Sequence, residues 1–297
     1  MSQTSSPSAG HPYGLALTCR VLEIPRSTVY ATRARELTPT PPQKRGPKTA
    51  WSDAELTEHI REAIRTSPWL GEGHRKVWAR LRDAGMRTSK ARVLRLMREA
   101  GLLAPTRLGN AHGPKAHDGT ITTERPDEMW GTDATGGWTD EGNATIFIAV
   151  DHCTQECIGI HAALRGNRFE ALEVIRQGVR EHFCGYAKDA AKGLKLRHDH
   201  GSQFMSGDYQ AELTFLGIES SPAYVREPEG NGCSERFIRT LKEQVLWVQR
   251  FATVAELLEA LHAFKERYNR TWLVQKHRHL TPAAARAALS SSTEVAA

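Results

Sequence analysis

Three carboxylates set at unequal distances along one chain limit what it can fold into. Asp133 closes the run Met129-Trp130-Gly131-Thr132, which reads as a strand. Asp199 follows a second short run, residues 194–197, and precedes a tight turn at Gly201. Thirty-five residues separate Asp199 from Glu235. Glu235 sits on the first turns of residues 232–249, where Phe237, Leu241, Val245 and Val248 recur at helical spacing. Two strand ends and a helix can bring three acids to one point only if the two strands lie side by side. Two like charges about 4 Å apart cost roughly 4 kcal/mol at an effective dielectric near 20, so such a cluster needs protonation, basic partners or cations. Mg²⁺ suits it: the ion takes one or two protein carboxylates and fills its remaining positions with water and substrate phosphate. A pair of such ions can activate a hydroxyl and stabilise the leaving oxygen of an in-line displacement. Taken singly, each acid reads equally well as a solvated loop or cap residue.

The segments between the acids decide the fold class. Residues 129–135, 144–150 and 157–163 read as three strands, with a turn at 139–143. Residues 168–183 form a helix with Phe169, Leu172, Ile175, Val179 and Phe183 at core spacing. A fourth strand at 194–197, a helix at 208–216 and a fifth strand from Ile218 follow. Three antiparallel strands and then helix–strand–helix–strand predict an α/β, RNase H-like core. It is a five-stranded mixed sheet with flanking helices, strand four lying beside strand one. Amphipathic helices close the chain, one at 253–268 and a last short one capped by Thr281-Pro282. Asp151 ends strand two and is read as a turn residue.

The front of the chain is all-α and basic. Residues 1–126 hold 21 Lys and Arg against 11 Asp and Glu, and residues 127–297 hold 19 against 23. A basic front and a mildly acidic rear suggest nucleic-acid contact ahead of metal chemistry. Residues 1–12 are Ser/Pro/Gly-rich and expected to be disordered. Residues 13–37 read as a short helix-turn-helix-like pair, its second helix capped by Ser27. Residues 38–50 form a Pro-rich basic linker. Residues 51–103 hold three helices, the first opened by a Ser52/Glu55 capping box and the third capped by Ser89. The last two form a helix-turn-helix-like DNA-binding domain, with Lys90, Arg92 and Arg95 on the face offered to DNA. A solvated basic face is the plainer alternative. Residues 104–126 read as a linker, 127–289 as the catalytic core with its C-terminal helices, and 290–297 as a disordered tail.

The chain resembles the OrfB product of the IS-three family of bacterial insertion sequences, within the DDE transposases of the retroviral-integrase superfamily. The matching blocks are Trp-Gly-Thr-Asp-Ala-Thr around Asp133, Asp-His-Gly-Ser-Gln-Phe from Asp199, and Asn-Gly-x-x-Glu-Arg-Phe-x-x-x-Leu-Lys-Glu from Asn231 to Glu243. The spacing before Glu235 and the basic Lys242 seven places later also match. Gly230-Asn231-Gly232 and His200 depart from the commoner family residues. The resemblance implies a transposase that cleaves element ends and transfers the 3′-hydroxyl into target DNA. Asp133, Asp199 and Glu235 would be both the catalytic acids and the ligands of two Mg²⁺ ions, with Mn²⁺ able to substitute. Lys242, Asn231, His200, Gln203 and Arg239 would contact DNA, alongside Lys90, Arg92 and Arg95. Expected partners are the terminal inverted repeats, target DNA, further copies of the chain on DNA, and an upstream OrfA product joined by frameshift fusion.

Other classes are weaker. The five cysteines are odd in number and irregular in spacing, so reduced thiols are expected rather than a disulfide framework or zinc site. No run reaches the roughly 18 apolar residues of a membrane span, and no signal peptide is visible, so a cytoplasmic protein is expected. The rivals that stay open are a DNA-binding subunit or repressor without catalysis and an RNase H-like nuclease.

Overall fold

Alternating burial builds the central sheet. The computed structural model describes residues 3–37, 50–105, 123–183, 185–222 and 231–294. Most of both expected linkers, and residues 223–230, lie outside these. Strand β1 (Met129–Thr139) pairs antiparallel with β2 (Gly142–Asp151), and β2 pairs antiparallel with β3 (Cys157–Ala163). The chain crosses through α6 (Arg168–His182) to β4 (Lys195–His198), which lies parallel to β1. A second crossover, α7 (Gly207–Leu216), leads to β5 (Glu219–Pro222), parallel to β4. The sheet order is β3-β2-β1-β4-β5, the mixed five-stranded arrangement expected of the sequence. β1 runs past its expected end at residue 135, because Gly136 and Gly137 pair with Thr145 and Ala144 despite their weak strand preference.

Helices cover both faces. One core lies under α6 and α7 and includes Trp130, Phe147, Leu172, Ile175, Phe204 and Tyr209. The other lies under α8 (Gly232–Leu241) and α9 (Val254–Thr271) and includes Ile146, Ile148, Phe237, Leu241, Leu257 and Phe264. Edge strand β3 is protected by one side chain from α9. Asn269 accepts from the Cys157 amide at 2.9 Å and donates to the Cys157 carbonyl at 2.9 Å, so the exposed edge cannot pair with another strand there. Helix α10 (Pro282–Glu294) continues beyond residue 289, and its Arg286 closes on Asp127 and Glu156.

Several sequence expectations need correction. Residues 232–249 are not one α-helix: α8 ends at Leu241 and a π-helical turn, Lys242–Leu246, follows. The wider turn accompanies an inward Gln244, which holds both the amide and the carbonyl of Leu70 at 2.9 Å. Val248 lies beyond that turn and is exposed rather than packed, and Trp247 beside it is exposed too. Phe169, on the first turn of α6, is also exposed, so helical spacing alone misassigned it to the core.

The chain divides into two compact units, residues 1–50 and 51–297. In the first, α1 (Gly14–Val21) and α2 (Arg26–Leu37) pack around Cys19, and Ser27 lies inside α2 rather than capping it. In the second, α3 (Asp53–Arg65), α4 (His74–Asp83) and α5 (Lys90–Glu99) share a small core of Leu56, Ile60, Val77, Leu81, Val93 and Met97. Ser52 and Glu55 form the expected capping box. The loop after α3 inserts Trp69 into the α8–α9 core, edge-on to Phe264, Tyr268 and Trp272. Its indole N–H donates to the Thr271 hydroxyl at 3.1 Å. The four described cysteines carry no disulfide, and no described helix is long and apolar enough to cross a membrane.

Candidate active site

The parallel pairing of β1 and β4 sets two of the acids. Gly131 lies opposite Arg197 in the register. Asp133 and Asp199 each lie two residues further on, so both leave the same end of the pair. Asp199 is fixed by what surrounds it. Buried His198 contacts the Asp199 carbonyl through Nδ1 at 2.7 Å and the Ser220 hydroxyl through Nε2 at 2.9 Å. A carbonyl only accepts, so Nδ1 carries the proton, and in the neutral ring Nε2 accepts from Ser220. Burial lowers the His198 pKa, in keeping with a neutral ring. The Asp199 carboxylate then accepts from the Gly201 amide at 2.8 Å. A Cβ on Gly201 would stand 2.6 Å from Gln203 Nε2 and 2.9 Å from Asp199 Oδ1, so a larger residue there would displace the Gln203 side chain.

Asp133 feels the other acids. Its carboxyl pKa is raised to about 6, mainly by burial, with Asp199 and Glu235 raising it further. The Ala134 amide, which donates to Oδ1 at 2.8 Å, and Lys242 pull it back. Asp199, Glu235 and Lys242 therefore each lie within electrostatic reach of Asp133. Glu235 is exposed, and partial burial raises its pKa. Asp151 stays outside this group. It is buried and accepts from the Asp127 and Thr154 amides and the Thr154 hydroxyl, so it builds the turn as expected.

The oxygen-only donor set suits a hard cation, and the like-charge load on Asp133 is what a cation would relieve. Among the described residues, no set of three His, Cys, Asp or Glu side chains stands close enough together to hold an ion. Each aspartate also has one oxygen engaged by a backbone amide. Binding a metal here therefore requires the exposed side chains of Asp199 and Glu235 to turn inward.

The helix that carries Glu235 is pinned at its start. Asn231 occupies the N-cap position without capping: its side-chain amide donates instead to the Thr132 carbonyl on β1 at 3.1 Å. A Cβ at Gly131 would stand 2.6 Å from Ser234 Oγ, 2.7 Å from His152 Nε2 and 2.9 Å from Asn231 Oδ1. None of these three buried atoms has a hydrogen-bond partner among the described residues. Stranding a buried polar atom costs about 1–3 kcal/mol, so three around one point is unusual. Burial, with Arg197 and Lys276 nearby, pushes the His152 pKa down to about 4. His152 and Ser234 were not among the residues singled out from sequence. Only the fold places them beside Gly131.

The basic residues offered to DNA are differently placed. Arg92 donates to Asp53 at 2.8 Å and to the Trp51 carbonyl at 2.8 Å. Arg95 reaches the other Asp53 oxygen at 2.7 Å and also pairs with Glu99. Held mainly by Arg95 and then Arg92, the Asp53 carboxyl falls to about 2. Lys90 is exposed, with its ammonium 4.5 Å from the Trp78 ring centre. Arg239 bonds Glu243 at 3.1 Å, and His200 is exposed next to Asp199.

Comparison with known proteins agrees with this architecture. An HTH-like domain family matches residues 51–108, and an integrase core domain family matches residues 216–282. The second match includes Glu235 and Lys242 and stops short of the two aspartates. Transposase InsD for the Escherichia coli insertion element IS2A/D/F/H/I/K is 24% identical over 247 residues, covering 79% of this chain and 78% of that protein. The chain is similar to insertion-element transposases over most of its length. An uncharacterised 48.2 kDa protein of Escherichia coli element IS2A is also 24% identical, over 254 residues; the match covers 81% of this chain but only 57% of that protein. Among solved structures, the chain is similar to a catalytic core domain of BIV integrase, with a TM-score of 0.43 and 18% identity over 57% of this chain and 99% of that one. It is also similar to a chain of the simian T-cell lymphotropic virus intasome, with a TM-score of 0.47 and 16% identity over 79% and 74%.

Proposed function

We propose that the chain is a DNA strand transferase of an insertion sequence, cutting the element's ends and joining them to target DNA. The observation that carries this is the parallel pairing of β1 with β4, which brings Asp133 and Asp199 to one end of the sheet, with the charge of Glu235 also acting on Asp133. Asp133, Asp199 and Glu235 would hold Mg²⁺ or Mn²⁺. Bound there, the ions would activate the attacking hydroxyl or water and stabilise the leaving oxygen. The protein's part is positioning and charge. His198 and Gly201 fix the direction of Asp199, and Asn231 ties the Glu235 helix to β1. Lys242, whose charge acts on Asp133, would meet a phosphate of the same DNA. His200, Gln203 and Arg239 would contact DNA around the acids, and the helical module with Lys90, Arg92 and Arg95 would grip it farther off. The terminal inverted repeats and target DNA are the substrates. Assembly of several copies on paired ends, and fusion to an upstream product, belong to the same proposal.

The test is a joining assay with labelled oligonucleotides bearing the element's own termini. Joined products are expected with Mg²⁺ and none with chelator. Cut ends that never join would point to a nuclease, and terminus binding without cleavage in any metal would point to a repressor.

A further inference from the structure

The three stranded atoms around Gly131 stand between the two halves of the site. Gly131 and Thr132 lead directly into Asp133, and Ser234 directly precedes Glu235. His152 reaches the same point from the turn after β2, its own amide bonded to the Met129 carbonyl at 3.0 Å. We propose that His152, Asn231 and Ser234 are positioning residues that close on one shared buried water over the bare α-carbon of Gly131 and so fix Glu235 against Asp133. This rests on the reading of Glu235 as a metal ligand.

The donors and acceptors balance. Asn231 spends its amide N–H on the Thr132 carbonyl, so Oδ1 is left as a pure acceptor. Ser234 can donate its hydroxyl proton, and a neutral imidazole can offer Nε2 as an acceptor. One water accepting from Ser234 and donating to Asn231 Oδ1 and His152 Nε2 satisfies all three, and three partners are typical of a buried water. Gly131 is then the only residue type that fits: a Cβ would lie within 2.9 Å of every latch atom. The latch joins β1, the β2–β3 turn and the start of α8, so losing it would free the helix start that carries Glu235. Support of this kind around a metal ligand commonly changes metal affinity 10–100-fold.

Mn²⁺ binding to the full-length chain by calorimetry, alongside thermal melting, tests the idea without relying on activity. Ser234→Ala and His152→Leu are expected to fold and to bind Mn²⁺ about tenfold more weakly, whereas His152→Gln, which restores a polar end, recovers most of the affinity. A merely structural role would lower the melting temperature and leave Mn²⁺ affinity unchanged, and that result overturns the latch. So does a His152→Gln protein that binds as weakly as His152→Leu. Glu235→Gln runs in parallel. If it binds Mn²⁺ like wild type, the assignment of Glu235 as a ligand fails and takes the latch with it. If it binds poorly while the latch variants bind normally, only the latch fails.

Discussion

In the helical module the cations have anions; at the sheet end the anions crowd one another. Arg92 and Arg95 both close on Asp53, which is drawn down to about 2. Asp133 moves the other way, to about 6, raised mainly by burial and further by two carboxylates, with one lysine opposing. The contrast teaches that charge counted along a sequence differs from charge available to a ligand. The excess of Lys and Arg before residue 127 is partly spent inside the module. Acids after it are paired too, as Asp127 and Glu156 are with Arg286, but Asp133, Asp199 and Glu235 make no ion pair among the described residues and leave a negative field of the kind that gathers at functional sites.

Removing the field should have the largest effect. Asp133→Asn, Asp199→Asn and Glu235→Gln should each cut joining about a thousandfold or more while circular dichroism stays native. Retained joining in any of them would erase the contrast. Next comes the seam between the two regions. Trp69→Ala should cost about 3–5 kcal/mol in denaturant unfolding, because the indole belongs to the core under α8 and α9. One shared transition in wild type that separates into two in the variant would show the regions stabilise each other.

The raised Asp133 pKa gives a smaller, pH-dependent effect. A carboxyl whose folded pKa exceeds its unfolded value favours folding below the unfolded pKa, and that contribution is lost as pH rises through about 6. A divalent ion competes with that proton, so the Mg²⁺-induced rise in melting temperature should be small at pH 5 and grow through pH 7. A shift independent of pH would place the metal elsewhere. The smallest effect belongs to Asp53→Asn. Its pairs are partly exposed, so the stability cost should stay within about 1 kcal/mol. Releasing Arg92 and Arg95 should steepen the salt dependence of DNA binding by about one to two phosphate contacts. An unchanged slope would mean that neither arginine faces DNA.

The sheet was legible because its signals are local. Strands 144–150 and 157–163, the acid at the end of each paired strand and the capping box at Ser52 all follow from short-range pattern. The features that escaped are contacts between distant residues. Gln244 meeting Leu70 accompanies a π-helical turn that no helical periodicity announces. Asp53 claims two arginines about forty residues away. Phe169, Trp247 and Val248 carry core-like side chains at positions that the fold leaves open. In the site, Asp133, Asp199, Glu235 and Lys242 stood out by spacing and by family resemblance. His152 and Ser234 did not, since only packing against Gly131 gives them a role.

Anomalous scattering from Mn²⁺ in crystals of the full chain tests the central claim most directly. The account predicts ions bonded to carboxylate oxygens of Asp133, Asp199 and Glu235 at the end of the β1–β4 pair. Mn²⁺ bound away from Asp133, or three acids that stay apart at saturating metal, would contradict it.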